Sequence, residues 1–288
     1  MRIAELYRRK RPVFSFEFFP PKTDAGVTAL FEALEELARL GPDFVSVTCP
    51  LDKPRRPLTF ELVARIQREL GLTAMAHLVT VLYARNEVRG VLEQLRASGI
   101  ENLLALRGDL PPDAGANAVR DFPHASDLAG FAREFGFSIG GAAHPERHPH
   151  SKDWTVDLAG AHAKVAAGCE FLITQLFFDN DDYFAYVERA RAAGVTVPIV
   201  AGVMPVTSVA GIQRMAAMNG NRIPDTLAKE LARVDGDADA VHAAGVEWAT
   251  RQCEDLLARG VPGIHFFTLN RSTATREILT ALRAKGAA

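Results

Sequence analysis

Apolar positions along the chain switch repeatedly between two periods. Short strand-like runs occur near 13–19, 43–48, 73–79, 101–107, 137–143, 171–177, 197–203 and 263–269. Between them, apolar residues recur at helical spacing near 24–40, 58–70, 86–98, 126–135, 154–167, 181–193 and 207–219. A further helical stretch, 237–259, precedes the last strand, and 272–284 follows it. Gly41, Gly71, Gly99, Gly136, Gly168, Gly194 and Gly260 stand where these helices should stop. Strands alternating with helices predict a parallel sheet with right-handed crossovers. Roughly eight such units predict an α/β fold closed into a (β/α)8 TIM barrel. The extra length between about 220 and 262 reads as a helical insertion before the last strand. With no linker, low-complexity tract or composition break, 1–288 reads as a single domain.

The first strand carries the oddest residue. Val13-Phe14-Ser15-Phe16-Glu17-Phe18-Phe19 places a carboxylate among phenylalanines, just before Pro20-Pro21. Alternation puts Phe14, Phe16 and Phe18 on one face and Val13, Ser15 and Glu17 on the other. The aromatic face should pack on a layer of helices, leaving Glu17 at the end of a small, polar face. Desolvation there should raise its pKa and make it a general acid near neutrality. The structural alternatives are a carboxylate that caps the next helix or one that meets a buried arginine.

Other strand ends repeat the pattern. Thr48 ends the second run, His77 lies near the end of the third, and Arg107-Gly108-Asp109 follows the fourth. The fifth leads into Ala143-His144-Pro145-Glu146-Arg147-His148, Gln175 interrupts the sixth, and the eighth runs into Thr268-Leu269-Asn270-Arg271. Barrels of this class keep their chemistry at the carboxyl ends of the strands, so a site is expected there. Glu17 and Asp109 are carboxylates in different surroundings, a pairing that can split into a neutral acid and a charged partner. Asp109 can equally be a loop-capping aspartate. His144, His148 and His150 invite a metal, but Pro145 and Pro149 prevent a helical i, i+4 pair and no cysteine cluster supports zinc, so none is expected. No nucleophile elbow, Walker loop or Gly-x-Gly-x-x-Gly fingerprint is present. A bound nucleotide would therefore lie along the barrel loops, with His148 and Lys164 as phosphate partners.

Composition narrows the setting. A net charge of −2 offers no footprint for nucleic acid, and Tyr7-Arg8-Arg9-Lys10-Arg11 is the one basic run, suited to a barrel end or subunit contact. No secretory core or membrane-length apolar run occurs, so the expectation is a cytoplasmic protein without membrane association. Cys49, Cys169 and Cys253 are few and far apart, which fits a reducing compartment.

Six motifs then point one way. Ser-Phe-Glu-Phe-Phe-Pro-Pro at 15–21, Phe-Val-Ser-Val-Thr at 44–48, Ala-Leu-Arg-Gly-Asp-Leu-Pro-Pro at 105–112, Ile-Thr-Gln-Leu-Phe-Phe-Asp at 173–179, Met-Pro-Val-Thr-Ser at 204–208 and His-Phe-Phe-Thr-Leu-Asn-Arg at 265–271 resemble the bacterial methylenetetrahydrofolate reductase family, in its catalytic-domain-only form. The resemblance implies a flavoenzyme on a (β/α)8 barrel, with FAD across the strand ends. It would reduce 5,10-methylenetetrahydrofolate to 5-methyltetrahydrofolate with NADH or NADPH, feeding one-carbon metabolism and methionine synthesis, as a homo-oligomer. Carried over by position, Glu17 protonates the folate N10, and Asp109 positions folate beside the flavin and stabilises the cationic intermediate. Thr48, His77, Arg107, Gly108, Asp109, Ala125, His144, His148, Asp157 and Lys164 match cofactor-binding positions. Gln175 and Arg271 match substrate-binding ones.

The chain also departs from that pattern. Cys49-Pro50-Leu51 replaces Tyr-Gly-Ala, and His144 and His124 stand where tyrosines are usual. Gly160 and Ala163 replace polar or basic residues that reach the ribose and phosphates, and Gly211 and Met215 replace a glutamine and an aromatic. These changes weaken the expected grip on FAD. They motivate two alternatives: direct hydride transfer from nicotinamide without flavin, and a folate-reducing subunit that docks an electron-transfer partner.

Overall fold

The computed structural model describes residues 1–110 and 121–286, so Pro111 and Pro112 of the fourth-strand motif lie outside the described residues. Eight parallel strands close in sequence order: β1 (Val13–Phe18), β2 (Phe44–Val47), β3 (Ala74–Val79), β4 (Asn102–Leu106), β5 (Ser138–Ala143), β6 (Phe171–Thr174), β7 (Ile199–Val203) and β8 (Gly263–Phe267). The helices are α1 (Ile3–Arg9), α2 (Asp24–Ala38), α3 (Arg56–Leu70), α4 (Arg85–Ala97), α5 (Ala125–Arg133), α6 (Trp154–Ala167), α7 (Asn180–Ala192), α8 (Val209–Asn219), α9 (Asp225–Val234), α10 (Ala238–Ala258) and α11 (Thr273–Ala284). Three of them, α8 to α10, lie between β7 and β8. None of the helices is long and apolar enough to cross a membrane, among the described residues.

Local chemistry explains the elements. In α2, Thr23 Oγ1 accepts from the Gly26 N–H at 3.1 Å, and Leu30, Ala33, Leu34 and Leu37 bury one helical stripe. Asp153 caps α6 and Asp237 caps α10 in the same way. On β1 the alternation holds. Phe14, Phe16 and Phe18 join the main core between strands and helices, each burial contributing about 1.5–3 kcal/mol. Ser15 and Glu17 face the lumen.

The short helix α1 was not foreseen. Seven residues ending in a basic run carry little periodic signal, yet Ile3, Leu6 and Tyr7 fall at i, i+3 and i+4. They plug the lower barrel against Val13, Phe44, Met75 and Phe171. Near the mouth, α10 approaches so closely that a Cβ on Gly245 would stand 1.8 Å from the Val206 carbonyl oxygen, so only glycine fits there. β6 ends at Thr174, earlier than its apolar run, which frees Gln175 for the mouth.

Candidate active site

Register brings the polar lumen residues together. Ser15 pairs with His265 of β8, and Glu17 pairs with Ser46 of β2. Ser15 Oγ and His265 Nδ1 are 2.7 Å apart, and His265 Nε2 is 3.2 Å from Glu17 Oε2. A carboxylate needs a donor, so Nε2 carries the hydrogen towards Glu17 and Nδ1 accepts from the Ser15 hydroxyl. His265 is fully buried and stacks on Phe44. From the other side, His77 Nε2 lies 3.4 Å from Glu17 Oε2 and makes no hydrogen bond.

Burial alone would push the Glu17 carboxyl up, but His77 and the hydrogen bond from His265 outweigh it and hold the group below its ordinary value. Burial also depresses His77 to about 4, against the pull of Glu17. Near neutrality His77 is therefore uncharged, and the His265 N–H is what keeps Glu17 ionised. This corrects the expectation of a raised Glu17 pKa. The phenylalanines that motivated it face the helices, while the lumen side offers two imidazoles. His265 and Ser46 were missed as site residues. The signal was the i, i+2 placement of His265 and Phe267 on a strand whose chemistry had been assigned to its end.

Above Glu17 opens a cavity of about 560 Å3, lined by Thr48, His77, His144 and Gln175 together with apolar Leu104, Leu106, Ile173 and Phe267. Phe19, Met218 and Leu269 stand exposed at its rim. Gln175 is fixed there: its amide donates to Asn219 Oδ1 at 3.2 Å, and its Oε1 accepts from the Leu176 N–H. Cys49 and Met215 complete the wall.

The other expected positions form an outer ledge or lie apart. Arg107 and Asp109 are exposed and 3.4 Å from each other, away from the cavity lining. Gly108 has φ +80°, and a Cβ there would meet Val79 Cγ1 at 2.4 Å. Asp157 Oδ1 accepts from the His148 N–H and the Ser151 hydroxyl, which fixes the loop after β5. His148 Nδ1 accepts from the His150 N–H, leaving Nε2–H free to donate. Burial lowers the His148 pKa, with His150 adding to this and Asp109 opposing it. Lys164 lies behind β5, its ammonium donating to the Ala142 carbonyl at 2.5 Å, and burial lowers its pKa. Ala125 opens α5 beside His124, and Arg271 is exposed after β8. Thus Glu17, Thr48, His77, His144 and Gln175 converge, whereas Asp109 and Arg271 are not brought to them. Among the described residues, no group of His, Cys, Asp and Glu could hold a metal ion.

Two neutral histidines at this mouth give a pH signature. His144 is held at about 3, by burial first and then by His148 and Lys164, and His77 at about 4, against 6.5 for each when free. Between these values the unfolded chain binds more protons than the fold, so stability falls as pH drops below 6.5. Glu17, lowered in the fold, adds a loss only below its ordinary 4.5. Urea unfolding near pH 5 should therefore show about 2 kcal/mol less stability per histidine than near pH 7.5, and His144→Tyr should remove one share. A flat profile would show that both histidines ionise freely in the fold.

A closed parallel barrel with an acid–imidazole cluster at the carboxyl ends of its strands defines a (β/α)8 barrel of the enzymatic kind. Residues 2–283 match the family described as methylenetetrahydrofolate reductase, and the chain belongs to that family. It is 35% identical to 5,10-methylenetetrahydrofolate reductase of Salmonella typhimurium, covering 93% of this chain and 90% of that one. It is also 35% identical to methylenetetrahydrofolate reductase (NADH) 1 of Arabidopsis thaliana and to the probable methylenetetrahydrofolate reductase (NADPH) of Caenorhabditis elegans, over 98% of this chain. The chain spans about half the length of these plant and nematode relatives, 50% and 44%. Among solved structures, an uncharacterized protein from Clostridium thermocellum that binds two copies of 5-methyl-5,6,7,8-tetrahydrofolic acid aligns with a TM-score of 0.64, at 16% identity over 99% of both chains. Dihydropteroate synthase from Xanthomonas albilineans aligns with a TM-score of 0.53, at 16% identity over 97% of this chain and 94% of that one. At such identity these two likenesses concern the fold alone.

Proposed function

We propose that this chain reduces 5,10-methylenetetrahydrofolate to 5-methyltetrahydrofolate with NADH or NADPH, using FAD, as a single catalytic domain in a cytoplasmic homo-oligomer. The observation that carries the proposal is the Ser15–His265–Glu17 line, which ends at the floor of an apolar cavity in a chain of this family. The residues present fit a flavin. The cavity has the size and apolar wall for a planar ring system, and the buried, unbonded His77 Nε2 awaits a polar partner. Thr48, His77 and His144 would hold the ring, with Arg107, the side-chain-free Gly108, Ala125, His148, Asp157 and Lys164 along its nucleotide portion. When bound, the flavin supplies the hydride chemistry between nicotinamide and folate.

The chain's own residues supply orientation and a proton. Gln175, locked by Asn219 and Leu176, presents a fixed amide edge to the folate, and Arg271 suits the carboxylates of its glutamate tail. Substrate entering the cavity displaces solvent from the partly exposed Glu17 carboxylate. That loss of hydration favours the neutral acid, so Glu17 takes up a proton from solvent as substrate arrives and can donate it to the folate N10. Opening of the five-membered ring then leaves a cation, whose stabilisation the family pattern assigns to Asp109, a carboxylate that stands outside the cavity lining on the loop after β4.

The test is an absorbance spectrum of the purified protein with and without FAD, followed by methylenetetrahydrofolate-dependent oxidation of NAD(P)H. Yellow protein with folate-dependent turnover is expected. Turnover by flavin-stripped protein would instead favour direct hydride transfer, and no turnover with saturating FAD would overturn the proposal.

A further inference from the structure

A polar cluster beside the mouth takes no part in the chemistry proposed above. Glu146, in the loop after β5, reaches the chain just beyond α8. Its Oε2 accepts from Asn221 Nδ2 and its Oε1 from the Arg222 N–H, each at 2.7 Å. Asp179, the cap of α7, and Asp182 in its first turn accept from the Arg222 guanidinium at 2.9 and 3.0 Å. The loop after β5 and the start of α7 thus grip one two-residue segment. Arg147, next to Glu146, has φ +70°, a conformation that a non-glycine residue keeps only where its surroundings hold it.

The gripped segment continues directly from the end of α8. Asn219 is the last helical residue, and Gly220, at φ +71°, turns the chain so that the Asn221 N–H donates back to Ala216 O at 2.9 Å. Asn219 lines the main cavity, where its Oδ1 accepts from Gln175 Nε2 at 3.2 Å. The other end of the Gln175 amide accepts from the Leu176 N–H at 2.9 Å. Turning that amide over would set two acceptors against each other at Asn219 and two donors at Leu176. Its orientation therefore depends on Asn219 staying where the end of α8 puts it.

We propose that Glu146 and Asn219 are positioning residues. Glu146 clamps the end of α8, and Asn219, held there, sets the orientation in which the Gln175 amide meets folate. The inference rests on the reading of Gln175 as a folate-binding residue. Glu146 stands outside the cavity lining, so it acts through the clamp and not on the substrate. Loosening the clamp frees the Gln175 amide to rotate, and that freedom must be given up again on binding. The loss falls on binding shared by ground and transition states, which appears in KM and not in kcat.

Steady-state turnover with saturating FAD tests this. Glu146→Ala and Asn219→Leu should each raise the KM for methylenetetrahydrofolate about tenfold, the scale of one hydrogen bond, and change kcat by less than about threefold. Glu146→Gln should keep KM within about threefold of native, because its carbonyl oxygen still accepts from the Arg222 N–H. Asn221 can meanwhile turn its Oδ1, which has no hydrogen-bond partner among the described residues, towards the new amide. In a Gln175→Met background the Glu146→Ala effect should vanish, since both act through one side chain. If Glu146→Ala does not fold, Asn221→Ala loosens the same segment with the carboxylate kept, and should raise KM in the same direction. A second readout needs no folate: the Gln175 side-chain amide signal in 15N-glutamine-labelled protein, identified by its absence from Gln175→Met, should move in Glu146→Ala. An unmoved signal, an unchanged KM, or full additivity with Gln175→Met would overturn the inference while native turnover stands. Native protein that does not turn over folate would instead overturn the reading of Gln175, and this inference with it.

Discussion

Glu17→Gln should lower folate reduction by about a thousandfold, the middle of the range for loss of a positioned general acid. The substitution is nearly isosteric. Its amide oxygen can still accept from His265 Nε2, 3.2 Å from the carboxylate in the native protein. The backbone carbonyl of residue 17, which accepts from Thr268 Oγ1 at 2.6 Å, is untouched. The fold should therefore survive, and what disappears is the titratable oxygen at the cavity floor. Oxidation of NAD(P)H by an artificial quinone needs no protonation of folate, so it should keep most of its rate. Parallel loss of both activities would make Glu17 a structural residue. Ser15→Ala gives the graded companion: it removes the hydroxyl that fixes the His265 tautomer and should cost about tenfold, the scale of one hydrogen bond.

The contrast between Glu17 and His265 shows what the sequence could and could not reveal. Period-two alternation on β1 placed Glu17 in the lumen, because a one-residue slip would have buried three phenylalanines in a polar barrel mouth. The closed barrel was legible for the same reason, each strand and helix carrying its own period and most helices a glycine stop. The charge state of Glu17 was not legible. It depends on His77 from β3 and His265 from β8, residues 60 and 248 positions away in the chain, that only barrel closure brings within 3.4 Å. Asp109 presents the reverse case. Its motif reads as strongly as that of Glu17, yet the side chain is exposed beside Arg107 on a loop that continues into residues outside the described set. Strand-end position alone says nothing about which way a loop residue points.

A buried arginine was one of the structural partners considered for Glu17. The fold does contain one, in a different place with a different task, and its removal should be the most damaging single change to stability. Arg56 is fully buried at the start of α3. A cation at a helix N-terminus is unfavourable, and the first turn of α3 holds no acidic residue to offset it. Backbone oxygens compensate instead. Nε donates to Pro50 O at 3.0 Å, Nη2 to Leu51 O at 2.8 Å, and Nη1 to Val79 O and Val81 O at 3.1 and 2.9 Å. The guanidinium also lies over Tyr83, 4.7 Å from the ring centroid. One side chain thus joins the loop after β2 to the loop after β3, and Leu51 in turn abuts Gly108 on the next loop round the mouth. Arg56→Met would fill most of the volume but leave four carbonyls without their donor. The expected loss is about 3–5 kcal/mol of unfolding free energy, and a melting temperature lower by about 10 °C. Arg56→Lys should rescue little, since an ammonium cannot span carbonyls on two loops with a planar fork. Thermal and urea unfolding of the three proteins checks the ordering. A loss under about 1 kcal/mol for Arg56→Met would mean that the two loops hold their shape without it, and that water satisfies the freed carbonyls.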